Sequence, residues 1–279
     1  MRAKSVRFVS RDNLCRRSIR LHVSLAPSAG FAPRDSKLGG AVALIGLIAL
    51  WQAACSFLGV SPLFLPSPLT ILGTLWRLLT QGDLLSQIGV SALRILGGWS
   101  LGAVAGLALG LAMGLFTFAR AAGFSVVSAL FPIPKIALLP LMILWLGIGE
   151  PSKIATIALG VFFPTAISAA SGVDSVPRNL IRMAQSFGLP FADIVRKVVL
   201  PGALPSILAG FRISTSIALL LVVSAEMVGA EKGIGAFVLQ AGNLMQTDQL
   251  LAGVVVLSLM GLSVARAIGW LERRFTDWR

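Results

Sequence analysis

Of the ionisable side chains inside or at the edges of long apolar stretches, four stand out: Arg94, Lys135, Arg212 and Glu226. Charge in hydrocarbon is costly, and it commonly marks a solute pathway or a neutralised pair. For each of the four, snorkelling to an interface or pairing inside a helix bundle is expected ahead of contact with a substrate. Ser214, Thr215 and Ser216 follow one another in a single apolar run, and with Glu226 they are the candidate pathway residues. Consecutive helical positions face different directions, so the three hydroxyls do not share one channel, and each can bond back to its own helix. Catalytic chemistry has little to build on. The single histidine, His22, lies in a basic N-terminal segment, away from any nucleophile it would activate. Cys15 and Cys55 make no disulfide framework, and no zinc or haem ligand set is present. No G-x-x-x-x-G-K-[ST] phosphate loop occurs, and GAEKGIG at 229–235 has the wrong order. The expectation is a chain that is not an enzyme and carries no metal or cofactor of its own.

The elements that position these residues are membrane spans. The chain is 56% hydrophobic and 13% charged, where soluble proteins average about 45–50% apolar and about 25% charged. Several runs reach the ~18–20 apolar residues that cross a bilayer as a helix. The fold class expected is an all-α membrane protein, a polytopic bundle of about six transmembrane helices, near 39–59, 88–116, 124–147, 153–172, 203–228 and 249–270. Pro62, Pro66 and Pro68 break the chain after the first span, and 69–80 has an amphipathic pattern suited to an interface. Pro132, Pro134 and Pro140 interrupt the third span and Pro164 the fourth. Broken helices in membranes commonly line cavities, which points to spans three to five as the pathway.

The net charge of +13 is distributed, not clustered as for nucleic acid. Nine of the 24 Lys and Arg lie in the first 38 residues, and most of the rest flank apolar runs. With the N-terminus in the cytoplasm, segments 1–38, 117–123, 173–202 and 271–279 hold 17 of the 24, while the opposite-side segments hold Arg77 and Lys232. The positive-inside rule therefore places both termini in the cytoplasm. Residues 1–38 have no apolar core of a secretory signal and read as a disordered basic cytoplasmic tail, or as a start codon placed too early. Residues 39–279 form the transmembrane domain.

Gly98, Gly102, Gly106, Gly110 and Gly114 recur every fourth residue in the second span. They form one slowly drifting stripe that allows close approach of another helix, within the subunit ahead of a dimer seam or a pore lining.

The polar segment 173–202 has its own punctuation. Asp174 and Ser175 are cap candidates, and Pro177 suits a first helical turn. Leu180, Met183, Ala184 and Phe187 give an apolar face, and Gly188 fits the C′ position where φ > 0 is needed. Pro190 starts a second helix, with Phe191, Ile194, Val195 and Val198 on its stripe and Asp193, Arg196 and Lys197 outside it. Pro201 and Pro205 are expected to close that helix before span five. A helix–turn–helix of this kind suits docking into a partner's groove or resting on the membrane surface.

This loop resembles the cytoplasmic "EAA" signature of ABC-importer permeases, E-A-A, three residues, G, then about nine residues to I-x-L-P. Ala184 matches the second Ala, Gly188 the Gly, and Val198-Val199-Leu200-Pro201 the closing apolar-Leu-Pro; Arg182 stands in place of the Glu and Met183 of the first Ala. LPSPLTIL at 65–72, SALRILGGWSLG at 91–102, IPKIALLPLMILWLGIGEPSKI at 133–154, ALPSILAGFRI at 203–213 and AEMVGAEKGIG at 225–235 are similar to the nitrate/sulfonate/taurine-type permeases, in the same order. The resemblance implies a type I (MetI-like) permease in the bacterial inner membrane. It also implies a second copy of the permease, ATPase subunits that bind ATP and magnesium, and a periplasmic or lipid-anchored solute-binding protein. Met183, Ala184, Gln185, Ser186, Phe187, Gly188, Leu189, Pro190, Asp193 and Pro201 would then form the ATPase-docking loop. The implied function is uptake of a small nutrient by alternating access; an ATP-independent carrier or channel is the alternative.

Overall fold

The computed structural model describes residues 37–276, apart from 58 and 60. Nearly all of the expected tail, 1–38, lies outside the described residues. The chain divides into a short unit, Met1–Leu47, and a large one, Ile48–Arg279. Of the short unit the structure describes the start of helix α1 (Lys37–Phe57).

In the large unit every regular element among the described residues is helical. Helix α2 (Pro68–Gln81) starts on Ser67, whose hydroxyl accepts the Thr70 N–H at 3.3 Å, with Pro68 in the first turn where no donor is missed. Helices α3 (Leu84–Leu115) and α4 (Thr117–Leu130) follow. A 3₁₀ turn (Lys135–Leu138) leads into α5 (Leu139–Leu146), and α6 (Glu150–Asp174) comes next. Among the described residues four helices are long and apolar enough to cross a membrane: Leu84–Leu115, Glu150–Asp174, Phe191–Gly229 and Thr247–Trp270. The single span expected over 124–147 is instead a pair, Thr117–Leu130 and Lys135–Leu146, bent by 87°. Val42–Phe57 is shorter.

The bend has a physical cause. Pro132 and Pro134 supply no N–H, so the last carbonyls of α4 lose helical partners. Lys135 replaces those partners. Its Nζ donates to the carbonyls of Leu130, Phe131 and Ile133 at 2.8, 2.8 and 2.7 Å, and sits 4.5 Å from the Phe163 ring centre. Pro140 falls in the first turn of α5 and interrupts nothing. Pro164, expected to break span four, leaves α6 continuous. It is buried between neighbours, and a packed helix tolerates one missing donor.

The core is a three-helix layer of α3, α6 and α9 (Leu200–Gly229). Ile95 and Ala103 of α3, Ile157 and Val161 of α6, and Ala218, Leu221 and Val222 of α9 are buried together. All five stripe glycines lie against α6. A Cβ at Gly98 would meet Ile157 at 2.6 Å, one at Gly106 the Phe162 carbonyl at 2.5 Å, and one at Gly114 Val173 at 2.6 Å; Gly102 and Gly110 face the Ala158 and Ala166 carbonyls. Dispersion over this backbone-to-backbone contact drives the pairing, since burial from lipid supplies little.

Helices α10 (Ile234–Asn243) and α11 (Thr247–Thr276) complete the unit. The stretch 229–248 between the fifth and sixth expected spans therefore contains a helix. Ile234, buried, packs with Leu84 and Val256, and Phe237 and Val238 close over them.

Candidate functional site

Helices α6 and α9 run antiparallel, and each end of the pair carries a cluster of functional candidates. At the first end lies the segment between them. Asp174 is the last residue of α6 instead of a cap for the next helix, and Ser175 Oγ donates to the Gly172 carbonyl at 2.7 Å. Pro177 precedes α7 (Arg178–Ser186) at its N-cap. At the other end of α7 the Leu189 N–H bonds the Ala184 carbonyl at 3.2 Å and the Gly188 N–H bonds the Gln185 carbonyl at 2.9 Å. This is a Schellman motif, and Gly188 occupies its left-handed position at φ +71°. The two turn bonds reverse the chain over Gly188, Leu189 and Pro190.

The return segment differs from the expected short helix. Helix α8 (Phe191–Ile194), a π turn (Val195–Val199) and α9 form one continuous run, Phe191–Gly229, with Pro201 and Pro205 inside it. A proline ring clashes with the carbonyl four residues back in a regular α-helix. The wider π turn immediately before Pro201 removes that alignment, so the helix passes through.

The apolar face of α7 is divided. Ala184 is buried with Ile194, Val199 and Ala203, while Leu180, Met183 and Phe187 are exposed, Phe187 by 78%. These three border a groove of about 460 Å³ shared with Val198, Pro201 and Gly202. Gln185, Ser186 and Pro190 are exposed, and Asp193 accepts from Lys197 at 2.9 Å one turn along. Arg120 of α4 pairs with Asp174, and the rings of Phe116, the residue joining α3 to α4, and Phe191 meet at 6.1 Å, so α4 and its start brace both limbs of the loop.

Midway along, Ser214 and Thr215 are buried and Ser216 is exposed. All three hydroxyls back-bond: Ser214 and Thr215 to the Phe211 carbonyl at 3.1 and 2.7 Å, Ser216 to that of Arg212 at 3.3 Å. Ser214 Oγ also accepts from the Trp99 indole at 3.2 Å.

At the second end lies a charged cluster. Arg94 of α3, 3% exposed, donates from Nε and Nη2 to the two carboxylate oxygens of Glu150, both at 2.6 Å, and from Nη1 to Glu226 at 2.8 Å and to the Lys232 carbonyl at 2.6 Å. Ser91 donates to Glu226 at 2.7 Å and accepts the Ile234 N–H at 2.9 Å. Gln87 accepts the Gly233 N–H at 2.6 Å, and Glu226 accepts that of Gly235 at 2.8 Å. Gln87, Ser91 and Arg94 recur at four- and three-residue spacing, which is one helical face. Glu226 is thus held by three donors. Gly233, at φ +126°, lies against its carboxylate, where a Cβ would overlap, and Gly235 lies against the Val223 carbonyl, so these two glycines of GAEKGIG answer to packing on the end of α9 and not to a phosphate. The pairing of Arg94 with Glu226 realises the neutralised pair anticipated for intramembrane charges. Glu150 was not anticipated; its sequence signal, an acid at the start of an apolar run, is also that of an ordinary N-terminal turn.

The description "binding-protein-dependent transport system inner membrane component" belongs to the family model that matches residues 101–277. The taurine transport system permease protein TauC of Escherichia coli (strain K12) is 37% identical over 83% of this chain and 86% of its own. The putative aliphatic sulfonates transport permease protein SsuC of Bacillus subtilis (strain 168) is 35% identical, over 84% of each chain. The riboflavin transport system permease protein RibX of Chloroflexus aurantiacus is 33% identical over 86% of this chain and 90% of its own. Among solved structures, an inward-facing MetNI methionine ABC transporter chain shares the fold, with TM-score 0.60, 24% identity, and coverage of 69% of this chain and 96% of that one. Its helical bundle and a family match over most of the chain agree: this protein belongs to the binding-protein-dependent transport system inner membrane components, the permease subunits of ABC importers.

Proposed function

We propose that this permease imports a small organic sulfonate across the bacterial inner membrane, in a complex with ATPase subunits, an external binding protein and a second copy of itself. The sulfonate class rests on relatives named for taurine and aliphatic sulfonates at 37% and 35% identity. In this reading both termini and α7 face the cytoplasm, as the Lys and Arg asymmetry requires. The α9–α10 turn and the segment around α2 face outside and receive the binding protein.

The observation that carries the docking role is α7 itself. A short helix ends in a fixed corner at Gly188 and exposes Leu180, Met183 and Phe187 on a braced loop. Apolar residues at that spacing are the anchors of a helix seated in a groove. The loop joins α6 and α9 directly, so displacement of α7 by a nucleotide-driven partner moves the two central helices. ATP and magnesium are bound by that partner and not by this chain. The pathway opens alternately to either side as two copies rock against each other. The test is uptake of radiolabelled taurine into vesicles holding the permease, its ATPase and its binding protein. ATP-dependent accumulation, lost when 183–189 is deleted from an inserted chain, is the expected result. Uptake by the permease alone, or an intact ATPase complex after the deletion, refutes it.

A further inference from the structure

Three side chains from one face of α3 hold the backbone of the turn after α9. Gln87 takes the Gly233 N–H, Ser91 the Ile234 N–H and Arg94 the Lys232 carbonyl, while Glu226 takes the Gly235 N–H. Four consecutive residues are therefore fixed in register. Gly233, Ile234 and Gly235 are buried, whereas Glu231 and Lys232 project outward. The same guanidinium binds Glu150, the first residue of α6, and Glu226, in the last turn of α9.

Stability alone does not account for this arrangement. A buried ion pair seldom outperforms well-packed apolar side chains of similar volume, because desolvation offsets the attraction. Apolar packing would hold α3, α6 and α9 together, but it does not fix the N–H and C=O groups of an irregular turn. Side chains that bond each group do so, and a fully connected polar network rigidifies what it touches. The far ends of α6 and α9 are the limbs of the α7 loop.

We propose that Arg94, Glu226, Ser91 and Gln87 are positioning residues for transport. They fasten the 230–235 turn to the α6–α9 pair, so that motion entering at α7 emerges at the surface presented by Glu231 and Lys232, where the binding protein is engaged. The inference rests on the permease reading above.

The experiment uses the full chain, with Cys15→Ser and Cys55→Ser, in nanodiscs with its ATPase and binding protein. A nitroxide at Glu231→Cys reports turn mobility, with that label confined to the spectroscopic samples. The principal variant is Gln87→Ala with Ser91→Ala, which loosens the turn and leaves both ion pairs of Arg94; Arg94→Met is the second. Expected for the alanine pair are a more mobile nitroxide, unchanged complex assembly and basal ATP hydrolysis, and a loss of at least ~10-fold in binding-protein-stimulated hydrolysis and in uptake, equivalent to about 1.4 kcal/mol; Arg94→Met, which also strands buried Glu226, loses at least as much stimulation. A nitroxide as immobile as in the wild type overturns the clip. A mobile turn with normal stimulation and uptake overturns its role in coupling. Loss of basal and stimulated activity together, with loss of assembly in the alanine pair, shows a merely structural role and also overturns it. Failure of the wild-type complex to respond to binding protein refutes the permease reading instead, and is read without any variant.

Discussion

Replacing Gly188 separates backbone shape from surface contact at the α7 corner. Its φ of +71° is a conformation that side chains with a Cβ adopt reluctantly, and β-branched ones most of all. A Cβ placed there meets nothing within 4 Å, so the cost in the isolated chain is conformational and not a clash. The left-handed region costs an L-residue roughly 1–2 kcal/mol. Gly188→Val therefore lowers the population of the native turn, relative to an opened one, by about 5–30-fold. The two Schellman bonds, Leu189 to Ala184 and Gly188 to Gln185, are lost in the opened form. Asn enters the left-handed region more readily than other side chains, so Gly188→Asn restores most of the population.

The assay is the affinity of the nanodisc-held permease for its purified ATPase, by interferometry, with coupled uptake alongside. The ATPase Kd rises by about 5–30-fold for Val and by much less for Asn. Two results refute the reasoning. If Val binds as the wild type does, the corner is not needed in its observed shape. If Asn is as damaging as Val, the lost property is the absence of a side chain against the partner and not the left-handed backbone.

Three further outcomes follow from the same geometry. Met183→Ser with Phe187→Ser weakens ATPase binding at least ~10-fold while melting stays within about 0.5 kcal/mol of wild type, because both side chains are exposed; parallel binding and melting curves check it. Gly106→Val forces side-chain atoms onto the Phe162 carbonyl across the α3–α6 contact and destabilises the fold by about 1–3 kcal/mol or more, read as earlier thermal aggregation in detergent. Lys135→Met removes a donor from three carbonyls, of which that of Leu130 keeps the Ile133 N–H, and lowers stability by about 1–3 kcal/mol, with Lys135→Arg restoring part of it by the same thermal assay.

The corner of the loop was legible in the sequence because Gly and Pro dictate local backbone directly. Leu-Pro after Gly188 can only be a turn, and the structure bends there. The same reasoning failed at Pro201 and Pro205. Those prolines read as terminators, but a π turn at Val195–Val199 absorbs the first, and packing of α9 on α6 carries the helix on. Helix α10 was hidden for the opposite reason. Gly233, Gly235 and Gly242 make its segment look like loop, although Ile234, Phe237, Val238 and Ala241 hold helical spacing. Those glycines answer to tertiary contacts, Gly233 to the Glu226 carboxylate and Gly235 to the Val223 carbonyl, and a local reading does not contain them. Arg94 and Glu226 were each conspicuous alone, but they lie 132 positions apart, and their pairing depends on helix rotation and depth that hydropathy does not specify.

Apart from Arg212, which is exposed on α9, the polar residues that stood out in the apolar spans share one physical task. Lys135 serves the carbonyls freed at the α4–α5 bend, and Gln87, Ser91, Arg94 and Glu226 serve the turn after α9. Ser214, Thr215 and Ser216 serve their own helix. Irregular backbone at membrane depth persists where protein groups satisfy it, so each break in this bundle comes with a side chain assigned to it. That shifts where specificity is to be sought. The buried ionisable groups are already occupied in one chain. Under the proposed function, solute recognition falls to surfaces completed by a second copy and the binding protein, and the proposed role of the charged groups is to join the chain's moving parts.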